Sequence, residues 1–220
     1  MECDGGAERG DSMSLLRRRA MYKAGDLPAG YKRCKWLSSK NDAYLITDYY
    51  PKIGDAVEIY LSVNDNVDYN VPISATSEYD SSRMLIIMLG RINTYLKYFT
   101  NGDATSVYLP QYWGGEPRKM VIDKDGRLID YTGYLITNEE VKKNKYEIDA
   151  KLFLFERSNH KYHFSGKIGT VTFTRGGVKS LNLIPCLNEH NVPCMYDTVS
   201  GKSYYNKGTG TFGYKLLQEA

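Results

Sequence analysis

Short segments with alternating apolar and polar residues run through most of this chain and are separated by turn residues. In residues 55–63 (DAVEIYLSV), Val57, Ile59, Leu61 and Val63 alternate with less apolar side chains, which is the period of a strand with one buried face. Asp125-Gly126 is a typical hairpin turn, since Gly accepts the positive φ that a two-residue loop requires. About a dozen such segments predict an all-β sandwich or jelly roll, with strands at residues 43–47, 55–63, 83–89, 93–99, 105–109, 118–123, 127–131, 151–157, 161–164, 167–174, 178–185, 195–198 and 202–205.

Composition supports this fold class and excludes several others. The 220 residues include 20 Tyr and 20 Gly but only 10 Ala, which favours strands over helices. Residues 138–145 are the one helical candidate after residue 27, and a charged loop is the alternative. The longest strongly apolar run, residues 84–89, is too short to span a membrane. The net charge of +3 does not indicate nucleic-acid binding.

Four cysteines occur without a CxxC pair, at Cys3, Cys34, Cys186 and Cys194, and their spacing fits no zinc module. We expect reduced, half-buried thiols, with Cys186–Cys194 across a hairpin as the alternative. The acidic N-terminus lacks the apolar region of a secretory signal, which predicts folding in a cytoplasm.

Residues 1–27 differ from the rest and are predicted to form an N-terminal arm ahead of a single β domain at residues 28–220. The arm is acidic over residues 1–12 and basic over residues 13–25, and Pro28 with Gly30 marks its boundary. It is either a solvated leader or an arm that docks on an acidic partner surface. The candidate docking residues are Leu15, Leu16, Arg17, Arg18, Arg19 and Met21.

One segment near the start of the chain and several near its end resemble the sequences of a known family. Residues 27–37 (LPAGYKRCKWL) are similar to its opening "LPsGYtrveYLes". Residues 183–187 (LIPCL), 192–197 (VPCMYD), 199–202 (VSGK) and 206–212 (NKGTGTF) resemble its ending "fIPCl…GvpgMYDlvsgkfy.NqGTG.F". The family comprises laminin-G-like, concanavalin A-like jelly-roll modules of gut bacteria and their tailed phages. The resemblance spans about residues 27–214.

The resemblance implies an antiparallel two-sheet jelly roll of the concanavalin A-like type, and the leader looks like those of phage-encoded members. The chain departs from the family at residues 39–47, where "sgTQYIDTG" is absent, and at Cys194, where the family has another small residue. The ending is interpreted as structural: Asp197 accepts turn N–H groups, Gly208 and Gly210 allow backbone that Ala could not adopt, and Phe212 seals the sandwich.

No catalytic or metal constellation is predicted. Glucanases of this fold use a Glu-x-Asp-x-Glu strand, but Glu147 and Asp149 are followed by Lys151, so the general acid is missing. The three histidines form no HxH or HExxH motif. Residues 64–68 (NDNVD) are predicted as a solvated turn, with a calcium loop as the alternative. We therefore expect no cofactor and no enzyme activity.

Aromatic residues near a Pro- and Gly-rich loop are the candidate ligand contacts, because such rings bury area at small entropic cost. These residues are Tyr108, Tyr112 and Trp113. The alternative is that Trp113 covers one end of the sandwich.

The resemblance, together with the leader and the missing secretory signal, implies a non-enzymatic structural or binding protein of a tailed-phage virion, such as a head or tail fibre, decoration or appendage protein. Its arm would contact other virion proteins, and its homo-oligomeric sandwich would bind a glycan or host surface. The alternative is a lectin-like carbohydrate-binding module at a bacterial cell surface, and a glycoside hydrolase is the least favoured interpretation.

Overall fold

The computed structural model describes residues 27–63, 70–89, 93–101, 105–108, 115–131, 145–156 and 162–218. These residues form fifteen strands and no helix, arranged in two antiparallel sheets. The predicted all-β sandwich is therefore confirmed. Within the described part of the chain, no helix is long and apolar enough to cross a membrane.

The nine-stranded sheet has the order β14-β13-β12-β1-β11-β3-β8-β9, with β15 paired to β1. Its strands are β1 (Lys32–Lys40), β3 (Asp55–Val63), β8 (Arg118–Ile122), β9 (Leu128–Tyr131), β11 (Gly166–Arg175), β12 (Val178–Leu187), β13 (Pro193–Asp197), β14 (Lys202–Tyr205) and β15 (Thr211–Leu216). The six-stranded sheet has the order β2-β10-β4-β5-β6-β7. Its strands are β2 (Leu45–Ile46), β4 (Asn70–Thr76), β5 (Arg83–Leu89), β6 (Asn93–Asn101), β7 (Thr105–Tyr108) and β10 (Phe153–Leu154).

The core lies between the two sheets and is built from alternate residues of their strands. In β3, Val57, Ile59 and Leu61 are almost fully buried and share one apolar cluster with Ile73 of β4 and Leu85 of β5. The intervening residues of the large sheet therefore point to its other side, which we call the outer face.

Three of the observed strands, β1, β4 and β15, are absent from the predicted list. In β1, charged residues hide the alternation, although Leu37 is fully buried, and the strand pairs with β11, β12 and β15. In β4, Pro72 argues against an interior strand, but a register shift between Asn70 and Ile73 places this proline at an irregularity where a ladder N–H is not required.

The strands predicted at residues 151–157 and 161–164 are shorter in the structure. Only Phe153–Leu154 forms a strand, and the two segments meet through a single antiparallel bridge between Glu156 and His163. Phe155 adopts a positive φ of 68°, which interrupts the extended backbone. The helical candidate at residues 138–145 and the acidic turn at residues 64–68 lie outside the described residues, apart from Lys145.

The C-terminal segment packs on the sandwich as predicted. Phe212 contacts Phe155 with ring centroids 5.0 Å apart, and Tyr204 is part of the core. The reason for the glycines differs from the predicted one, because Gly208 and Gly210 do not have positive φ. A Cβ on Gly210 would instead overlap the backbone oxygens of Lys40 and Asn41.

Candidate functional site

A groove of about 600 Å³ lies on the outer face of the nine-stranded sheet. We call it the outer groove. Its floor includes Glu58, Thr172 and Asn182, which stand directly opposite one another on β3, β11 and β12. The volume lies within the range of small-molecule sites, roughly 300–1,000 Å³.

The floor of the outer groove is held by hydrogen bonds between side chains. The Thr172 hydroxyl donates to Asn182 Oδ1 at 2.9 Å, and Asn182 Nδ2 donates to the Thr198 hydroxyl oxygen at 2.8 Å. The backbone N–H of Asn182 donates to Asp197 Oδ1 at 2.9 Å. These contacts fix the orientation of buried polar groups, so the floor is a rigid polar surface.

Asp197 also orders the turn beside the groove. Its carboxylate accepts hydrogen bonds from the backbone N–H groups of Val199 and Ser200, both at 3.1 Å. The predicted structural role of Asp197 is thereby confirmed.

A β-bulge shapes the centre of the groove. Between the pairs Leu61–Ile168 and Ile59–Val171, the two residues Gly169 and Thr170 stand opposite the single residue Tyr60. A Cβ on Gly169 would lie 3.0 Å from Tyr60 Cβ and 3.2 Å from the Lys35 carbonyl oxygen, so a larger residue would displace its neighbours. Bulges of this kind re-aim side chains at functional sites.

One end of the groove is bounded by the segment that leads into β8. Gly115 O accepts hydrogen bonds from Lys167 Nζ at 2.7 Å and from the Ser62 hydroxyl at 3.2 Å. The next residue, Glu116, pairs with Lys215 of β15 at 2.6 Å, and this hydrogen bond lowers the pKa of Glu116. Contacts from three strands thus hold this segment in place.

The aromatic ligand residues predicted from sequence are not tested by the structure. Tyr108 ends β7 in the six-stranded sheet, whereas Tyr112 and Trp113 lie outside the described residues. Trp113 precedes Gly115 by two residues in the sequence. The candidate docking residues, Leu15, Leu16, Arg17, Arg18, Arg19 and Met21, also lie outside the described residues.

Sequence reasoning missed the groove residues, although one signal for them was present. The alternation in residues 55–63 already separates Glu58 and Tyr60 from the buried positions. It does not reveal that β11 and β12 bring Thr170, Thr172 and Asn182 beside them, because strand pairing depends on the whole fold.

A second pocket, of about 480 Å³, lies where the edge strands β2 and β14 approach each other. Asp48 is held there between Lys151 and Lys202, each with its Nζ 2.9 Å from a carboxylate oxygen. Hydrogen bonds from Lys202 and Lys151 lower the pKa of Asp48 to about 2. The pocket therefore holds an ionised carboxylate between two ammonium groups near neutral pH.

We expect the Asp48 carboxyl to titrate near pH 2, well below its ordinary value of 3.8. A carboxyl group whose pKa is lower in the folded than in the unfolded state stabilises the fold at pH values above its unfolded-state pKa. This stabilisation is lost as the pH falls through the folded-state pKa. Because the Asp48 side chain is 49% exposed, solvent screening keeps the contribution small. Carboxyl ¹³C chemical shifts measured against pH would test the value.

The matched control replaces both cations. The Lys151→Met, Lys202→Met double variant should return the pKa of Asp48 toward the ordinary range. An Asp48 pKa that stays near 2 without these lysines would contradict the assigned cause.

The structure describes the two carboxylates considered for hydrolysis and the lysine that follows them. Glu147 and Asp149 are exposed and alternate with the buried Ile148 and Ala150, which supports their predicted common face. Lys151 Nζ binds Asp48, and this hydrogen bond raises the pKa of Lys151.

Comparison with known proteins shows the fold. No protein-family model and no curated protein matches this chain. Among solved structures, the chain is similar to a crystal structure named as that of a "putative carbohydrate binding protein" from Bacteroides ovatus, with a TM-score of 0.54 and 12% sequence identity. The match covers 85% of this chain and 62% of that chain, so this chain spans less than two thirds of its neighbour's length.

Proposed function

We propose that this protein is a non-enzymatic carbohydrate-binding β-sandwich and that the outer groove is its glycan site. The observation that carries the proposal is a preformed groove lined by charged, aromatic and hydroxyl side chains of adjacent strands, among them Glu58, Tyr60 and Thr170. The fold shared with a protein named for carbohydrate binding supports the same class of ligand.

The chemistry of the groove suits a ligand rich in hydroxyl groups. Glu58 supplies acceptor oxygens, Lys179 and Arg33 supply donors, and Thr170 supplies a group that does both. Tyr60 adds an aromatic ring on which the apolar face of a sugar can pack. Donors and acceptors on a rigid sheet lower the entropy lost on binding.

The test begins with an array of neutral and acidic oligosaccharides and continues by calorimetric titration of the strongest binder. Glu58→Gln and Tyr60→Ala should each weaken binding by about tenfold or more, as expected for loss of a charged hydrogen bond or a stacking surface. Tyr79→Ala is the matched control, because Tyr79 is 89% exposed on a turn next to the six-stranded sheet. Undiminished binding by both groove variants would contradict the proposed site.

We expect no glycoside hydrolysis. The pKa of Lys151 is raised by its hydrogen bond to Asp48, so its ammonium group is a poor general acid, and Lys151 stands where a carboxyl group would be needed after Glu147 and Asp149. Release of reducing sugar from β-glucans should not exceed that of a protein-free blank. This prediction would be overturned by sugar release that exceeds the blank in the wild type and is lost in the Glu147→Gln variant.

The location of the protein is a prediction from its sequence. The basic and apolar leader favours a virion location, with attachment of a homo-oligomer to other virion proteins, and the bacterial cell surface is the alternative. Replacing Arg17, Arg18 and Arg19 by Ser should reduce incorporation into particles while the sandwich remains folded. Undiminished incorporation would leave the leader without a docking role.

A further inference from the structure

Two of the cysteines face each other across neighbouring strands. Cys186 of β12 and Cys194 of β13 are directly opposite in the strand register, and their Sγ atoms are 3.5 Å apart. Both side chains are fully buried. The residues between them form the short connection from β12 to β13.

We propose that Cys186 and Cys194 form a cross-strand disulfide when the protein encounters a disulfide oxidant. Directly opposite residues of antiparallel strands have Cα atoms about 4.5–5.5 Å apart, which lies within the range that disulfides span. The two sulfurs need to approach by only about 1.5 Å to reach bonding distance, a shift that side-chain rotation can supply.

The third described cysteine does not have this geometry. Cys34 of β1 is buried, and its thiol donates a hydrogen bond to the Lys32 carbonyl oxygen at 3.9 Å. Burial, with a smaller effect of Cys194, raises the pKa of Cys34 to about 12, so its thiolate is scarce at neutral pH. Within the described part of the chain, no group of three or more Cys, His, Asp or Glu side chains could hold a metal ion, which disfavours a metal role for these thiols.

The environment gives the two thiols different roles in the oxidation. The hydrogen bond between the two thiols lowers the pKa of Cys194, and the same bond together with burial raises the pKa of Cys186. Within the hydrogen-bonded pair, these directions favour Cys194 as the thiol that supplies the attacking thiolate. Its thiolate attacks one sulfur of oxidised glutathione and releases one glutathione thiolate, which takes up a proton. Cys186 then loses its proton and attacks Cys194 Sγ, which releases the second glutathione and completes the bond.

The test uses the full chain, refolded with oxidised glutathione or with a reductant. After denaturation, alkylation should label all four cysteines of the reduced protein but only Cys3 and Cys34 of the oxidised one. The two unlabelled cysteines of the oxidised protein should together be two hydrogens lighter than the same two cysteines as free thiols. Cleavage after Glu189, which lies between the two cysteines, should yield two peptides joined by the disulfide.

Matched variants identify the bond. Cys34→Ala should leave the disulfide intact, whereas Cys186→Ala and Cys194→Ala should each abolish it. The oxidised wild-type protein should also melt about 5 °C higher than the reduced one, because the crosslink restricts the unfolded chain. A bond that contains Cys34 or Cys3, or four alkylated cysteines after oxidative refolding, would overturn the proposal, and peptide mapping of the wild type decides this even if a variant fails to fold.

Discussion

Replacing Gly210 with alanine is expected to lower the free energy of unfolding by about 3 kcal/mol, as for severe overpacking of a core. The added Cβ would overlap the Lys40 and Asn41 carbonyl oxygens, which belong to backbone and cannot rotate away as a side chain would. Asn206 makes the strain harder to relieve, since its Nδ2 donates to Gly210 O at 2.7 Å and its Oδ1 accepts from Gly208 N at 2.9 Å. Urea titration followed by circular dichroism would measure the change.

Gly177→Ala is the matched control. Gly177 has a φ of 83° but open space where a Cβ would be added, so alanine should cost only the conformational term of about 1 kcal/mol. If both variants were destabilised equally, close backbone approach at Gly210 would not be the cause.

Replacing Arg175 with methionine is expected to cost about 3 kcal/mol by leaving a buried carboxylate without its cation. Asp55 is fully buried and accepts from Arg175 Nε at 2.7 Å and from Nη2 at 2.9 Å. The Tyr49 hydroxyl and the Lys52 backbone N–H also donate to Asp55, at 2.6 and 2.8 Å. These neutral donors remain in the variant but do not replace the lost positive charge. Thermal and urea unfolding would both report the loss.

Arg127→Met provides the comparison for this prediction. Arg127 is exposed at the β8–β9 turn, so its replacement should change stability by no more than about 0.5 kcal/mol. An Arg175→Met variant as stable as Arg127→Met would mean that the Asp55 carboxylate is stabilised by its neutral donors alone.

Much of the strand pattern could be predicted because it is local. Residues 55–63, 83–89 and 202–205 were predicted with the bounds that the structure has. The hairpin turn at Gly126 was also predicted, and this residue has a φ of 86°. In each case the signal lies within a few residues, as an alternation of burial or as a backbone conformation that Gly accepts.

The groove and the disulfide pair could not be located in the same way. Glu58 and Asn182 are separated by more than a hundred residues, yet β11 places them on one floor. For Cys186 and Cys194 the separation is short, but their contact depends on the register of β12 with β13, and a shift of one residue would place them on opposite faces.

The sequence by itself determined the fold class, most strand positions and, for residues 55–63, which side of the strand faces the core. These properties follow from period-two burial and from the conformational preferences of single residues. Only the tertiary structure decided that β1 lies among three partner strands, that a bulge opens a groove beside Tyr60, and that Gly210 needs its small size for a backbone contact. The physical reason is that strand pairing and close approach are set by the summed contacts of distant segments, which no local pattern contains.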